Sequence, residues 1–159
     1  MTQTHTLEIR NNAIVKKIEG RTFKFGKARD TGGNDKLTNN VKLTDLGYDR
    51  AMVYDWIDTA VGNIRSAFAK YAIGAVTTSY ETGHDNDNDY KITSIPFVLS
   101  SKWDSNNGLG FDKDCVEYVV NKAVSEFLSL SLPREADLYA QKAMQALKDA
   151  ERKLYYKTA

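Results

Sequence analysis

The chain has 159 residues, enough for one domain to bury a real core without disulfide or metal staples. Hydrophobic residues make up 42% and charged residues 27%, the balance of a soluble globular protein. A formal net charge of +1 argues against whole-protein attraction to nucleic acid or an anionic membrane. Locally the charge is uneven. Residues 10–29 carry Arg10, Lys16, Lys17, Arg21, Lys24, Lys27 and Arg29 against Glu19 alone, whereas residues 81–89 carry Glu81, Asp85, Asp87 and Asp89 with no basic residue. One cysteine, Cys115, permits no intramolecular disulfide. No apolar leader or bilayer-length run is evident, so the expectation is a protein made in a cytoplasm, without a membrane partner.

In chain order, residues 1–12 read as a polar, loose end. Residues 13–18 and 21–25 read as short extended segments of low hydrophobic area, and residues 31–40 (TGGNDKLTNN) as a loop, since Gly, Asn and Asp favour turns. Together they make an expected extended N-terminal arm over residues 1–40. A first helix is expected over residues 48–73, where Val53, Trp56, Ile57, Ala60, Val61, Ile64, Phe68 and Tyr71 fall on one face. Asp49 is its candidate N-cap and Gly74 its stop. Alternation at Val76, Thr78 and Tyr80 and again at Tyr90 and Ile92 predicts a β-hairpin within about residues 76–100. Pro96 argues against a fully paired central strand there.

A second helix is expected over residues 114–130, opened by Asp114 and Glu117 in a partial capping box and striped by Val116, Val119, Val120, Ala123, Phe127 and Leu130. Pro133 suits the first turn of a third helix over residues 134–156, whose apolar face reads Leu138, Met144, Leu147, Ala150 and Leu154. The expected fold is thus mainly α: a three-helix bundle over residues 41–159 with a small β-hairpin insertion and the extended arm before it. Trp56, Ile64, Val120, Phe127 and Leu147 are its expected deep core.

Candidate chemistry is thin. Asp85, Asp87 and Asp89 have the spacing that opens a calcium loop, but Tyr90 and Pro96 stand where that loop needs Gly and a bidentate Glu; the run reads as a solvated hairpin tip. Gly20 and Gly26-Lys27 miss the phosphate-loop spacing, and Ala28 replaces its hydroxyl. His5 and His84 lie in polar segments and read as exposed. Cys115 reads as an inert thiol near a helix start. No catalytic, cofactor or metal residue is assigned. The residues left for contact with partners are Arg10, Lys16, Lys17, Arg21, Phe23, Phe25, Lys27 and Arg29 in the basic stretch, Asp85, Asp87 and Asp89 in the acidic tip, and Tyr155 and Tyr156 at the end, with Tyr139 a further surface aromatic. The basic stretch suits phosphates or an acidic protein surface equally.

The order of segments carries a resemblance. A polar arm with KKIEGRTFKFGKARD precedes a long helix, YDRAMVYDWIDTAVGNIRSAFAKY; a β-rich insertion follows, and the chain closes on VEYVVNKAVSEFLSLSLPREADLYAQKAMQALKDAERKLYYK. This plan resembles the small head–tail connector (adaptor, or neck) proteins of tailed bacteriophages, especially those from phages of gut Bacteroidetes. The resemblance implies a structural virion protein and no enzyme. It implies a homo-oligomeric ring, expected to be twelvefold, that binds the portal protein above and a tail or neck ring below. Packaged DNA would pass through the channel without sequence-specific contact. The basic arm and the acidic tip would supply the two unlike surfaces a head-to-tail ring needs. The alternative is a small nucleic-acid-binding regulator that uses the basic N-terminal segment.

Overall fold

A computed structural model of the chain describes residues 1–30, 47–129 and 131–155, with side chains for residues 1–22, 50–129 and 131–155. The expected loop over residues 31–40, the Asp49 cap, and the side chains of Phe23, Phe25, Lys27, Arg29 and Tyr156 lie outside the described residues. In order the elements are β1 (Thr2–Arg10), α1 (Asn11–Asp30), α2 (Gly47–Ala67), β2 (Thr77–Tyr80), β3 (Lys91–Ser100), α3 (Gly108–Leu128) and α4 (Pro133–Tyr155), with short 3-10 turns before β3 and α3. The strands form one antiparallel sheet in the order β1-β3-β2.

This corrects the expected three-helix bundle with an extended arm: the described residues form an α+β mix of four helices and a three-stranded sheet. The hairpin of β2 and β3 is present, and β1 from the N-terminus adds to its other edge. The reason lies in what β1 turns inward. Its inner face reads Gln3, His5, Leu7 and Ile9, the two apolar residues fully buried and the two polar ones half-buried. Register sets Leu7 opposite Ile95 and His5 opposite Phe97, so the inner faces of the two strands share one layer. Gln3 Nε2 satisfies its place at the sheet end by donating to the carbonyls of Ser100 at 2.9 Å and Trp103 at 2.7 Å.

Residues 13–25, expected to be extended, belong to α1. Ile14, Val15, Ile18 and Thr22 are all buried at the spacing of one helical face, and the Thr22 hydroxyl donates back to the Ile18 carbonyl at 2.8 Å. Pro96 sits inside the central strand without loss of pairing. β2 pairs with β3 only through residues 91–94, and farther along that same edge the Val98 amide donates to the Tyr71 carbonyl at 2.8 Å. The missing N–H of Pro96 therefore falls where β2 has already ended. Its ring packs on Gly74, where an added Cβ would lie 2.6 Å from the proline Cγ. α2 ends at Ala67, short of the expected residue 73 and its Gly74 stop, and the chain after it turns through bonds from the Tyr71 and Ala72 amides to the Phe68 carbonyl at 2.8 Å and 2.9 Å.

The core lies between the sheet and the helices. Phe68, just after α2, Phe97 of β3 and Phe111 of α3 meet with ring centroids 5.1–6.3 Å apart in tilted or edge-on contacts, geometries that suit aromatic quadrupoles. α3 begins a turn and a half before the expected residue 114, so Asp114 does not cap it; it pairs with Lys153 on α4 instead. α3 and α4 form the expected hairpin about Pro133. The buried face of α4 is Ala136, Tyr139, Ala143, Ala150 and Leu154, and its three alanines let the two helices approach closely. Leu138 and Met144, expected inside, are 52% exposed. Ile64 and Val120 are fully buried as expected, whereas Trp56, Phe127 and Leu147 are only partly buried.

Candidate interaction surface

The acidic tip is a tightly turned loop. Backbone bonds link His84 to Glu81 at 3.0 Å, Asp87 to His84 at 3.1 Å and Tyr90 to Asp87 at 2.9 Å. Gly83 (φ 84°) and Asn86 (φ 62°) take the left-handed conformations such turns require. The His84 ring stacks on Tyr90 with centroids 3.6 Å apart. The three aspartates have separate tasks. Asp87 accepts from the Asp89 amide at 3.0 Å, Asp89 pairs with Arg50 of α2 at 2.8 Å, and Asp85 stays exposed with no ion pair among the described residues. No cluster of three or more His, Cys, Asp or Glu among the described residues is placed to hold a metal.

The basic stretch is likewise divided. Arg10 lies 3.1 Å from Glu8 and 3.5 Å from Glu81, so the N-terminal segment and the acidic tip meet within one chain. Arg21 crosses from α1 to α3, giving both Glu117 carboxylate oxygens a bond at 2.9 Å and Asn121 Oδ1 one at 2.6 Å. Lys16 and Lys17 remain exposed without an ion pair among the described residues. The glycines and lysine weighed as a phosphate loop lie in α1 as continuous helix. At the other end, Tyr155 is 53% exposed and edge-on to Tyr71 at 6.0 Å. Burial first, and then Tyr155, push the Tyr71 hydroxyl up from its ordinary range. Tyr139, expected at the surface, is buried between α3 and α4.

His5 departs most from its sequence reading. Its Nε2 lies 2.7 Å from Asp112 Oδ1 of α3, and its ring packs on Trp103 and Phe111 with centroids 5.5 Å and 5.9 Å away. An added Cβ on Gly108 would lie 2.9 Å from the imidazole, so α3 must open on glycine to admit the ring. The signal for this lay in the odd-numbered positions Gln3, His5, Leu7 and Ile9, once they are read as one face. Nearby, the buried thiol of Cys115 is pushed well up, by burial first and by Asp112 and Asp114 next, with Lys153 opposing. It is a poor nucleophile.

Among the described residues, α1 contributes to the lining of two clefts. One, of about 400 Å³, is lined by Gly20, Arg21, Glu117, Asn121, Tyr139 and Lys142. The other, of about 200 Å³, is lined by Asn11, Ala51, Tyr54, Asp55, Asp58, Asn88 and Lys91. Both are polar surface features fit for contact with a charged partner. No helix among the described residues is long and apolar enough to cross a membrane. No protein-family model, curated protein or solved structure matches the chain.

Proposed function

We propose that this chain is a structural virion protein of the phage neck, made in the bacterial host cytoplasm. In this reading it is a head–tail connector that forms a ring, expected to be twelvefold, under the portal. The ring would link capsid to tail and extend the DNA channel. One observation carries the reading: the order of a basic N-terminal segment, a long amphipathic helix, a β-rich insertion and a closing helical hairpin, which resembles that of connector proteins. The fold is compatible with it. The polar side chains that meet, Arg21 with Glu117, Lys153 with Asp114 and His5 with Asp112, tie elements to one another. Leu109, Leu138 and Met144 leave apolar area on the outside of the closing hairpin for a neighbour.

The alternative of a nucleic-acid-binding regulator has less support, because Arg10 and Arg21 already face carboxylates and phosphate would have to displace them. The mass of the purified chain, by native mass spectrometry with and without the portal of the same phage, tests the proposal. Closed rings, or portal-bound rings of fixed stoichiometry, are expected. A chain that stays monomeric at all concentrations and ignores the portal would overturn it.

A further inference from the structure

We infer that the contact between neighbouring copies in this ring seats the basic cleft of one copy on the acidic cleft of the next. The inference rests on the assembly reading above and names the surfaces that would make it. In the larger cleft the Arg21 charge is answered by Glu117 at 2.9 Å, but Lys142 is not answered. Its Nζ lies 4.7 Å from the Tyr139 ring centroid, exposed, with no carboxylate partner among the described residues. Lys17, one turn before Arg21 on the same side of α1, adds a second exposed ammonium without a partner among the described residues. The lining of this cleft thus carries one positive charge in excess, with another beside it.

The smaller cleft has the opposite balance. Lys91 lies 3.3 Å from Asp58, and Asp55 is exposed with no ion pair among the described residues. Asn88 in its wall belongs to the loop that carries exposed Asp85 and Asp87. Asp55 and Asp58 against Lys91 leave that wall one negative charge in excess.

The two clefts use positions Asn11 and Arg21 of α1, about 15 Å apart at 1.5 Å per helical residue. They are separate patches. A two-fold contact through either patch would set like charge on like, whereas a head-to-tail contact sets unlike charge together and repeats around a ring. Exposed pairs of this kind choose partner and register more than they add affinity.

Charge reversal on the full chain tests the contact, using Lys142→Glu and Asp55→Lys, both at exposed positions, followed by sedimentation velocity at 0.15 M salt. Each single variant should associate about tenfold more weakly than the unaltered chain. The double variant, whose patches are exchanged, should assemble again. Each single variant alone should stay weakly associated, whereas mixing the two should restore assembly with the variants alternating, because every contact between unlike variants then joins either two unaltered patches or two reversed ones. If the unaltered chain forms rings and both single variants form them equally well, the contact is wrong and the assembly reading stands. If the unaltered chain stays monomeric with and without portal, both fail.

Discussion

Phe111 and Phe127 lie on the same helix, yet their packing differs. Phe111 is fully buried against Phe68 and Phe97, while Phe127 is half-buried and edge-on to Trp56 at 6.4 Å. Phe111→Ala should therefore destabilise the fold by about 3–5 kcal/mol, and Phe127→Ala by only about 1–2 kcal/mol, in urea unfolding. Equal losses would mean that the end of α3 near Phe127 is as tightly packed as its start. Cys115 offers a test by pH. Its thiol is held up in the folded state by burial, then by Asp112 and Asp114, so the folded chain keeps a proton that the unfolded chain releases near pH 8.5. The associated stability is fully present below that pH and declines above it, as far as the folded-state value. Iodoacetamide at pH 8.5 should label Cys115 slowly in the native chain and rapidly in urea. Fast native labelling would mean that α3 opens locally or that the thiol is accessible.

At the scale of elements, the sequence made the helical hairpin, α2 and the β2–β3 pair legible, because each carries its own periodicity, a hinge proline or turn residues. It hid β1 and α1. In β1, two of the four inward positions are Gln3 and His5, whose partners, the carbonyls of Ser100 and Trp103 and the carboxylate of Asp112, lie about a hundred residues away in sequence and leave no local trace. In α1 the apolar face is narrow and β-branched, at Ile14, Val15, Ile18 and Thr22, among lysines and arginines that resemble a solvated arm. The same difficulty applies to the candidate surface. Charge runs were visible, but the pairing of Arg10 with Glu81 and of Arg21 with Glu117 depends on tertiary placement. An arm that orders only on assembly would exchange its amide hydrogens quickly in the free chain. The buried face of α1 and the pairing of β1 with β3 lead to the opposite expectation: amides of His5, Leu7 and Ile9, which face β3, and of residues 15–22 should be strongly protected in the isolated monomer. Exchange within seconds there would restore the arm.

For the whole molecule, the N-terminal elements complete the core from outside the helical region. β1 and α1 place Leu7, Ile9, Ile14, Val15 and Ile18 in the core cluster. Leu7 and Ile9 lie on the layer of Ile95, Phe97 and Leu99, and Arg21 ties α1 to α3. Each such side chain contributes about 1.5–3 kcal/mol by leaving water, so together they are worth on the order of 10 kcal/mol. Residues 41–159 alone would also leave the inner face of β3 and the Phe97–Phe111 contact open to solvent on one side. The full chain should therefore melt in one cooperative transition, while the fragment 41–159 should show helical circular dichroism without one and should bind a hydrophobic dye. A fragment that melts sharply within a few degrees of the full chain would mean that the helices form an independent core and that the N-terminal elements only dock on it.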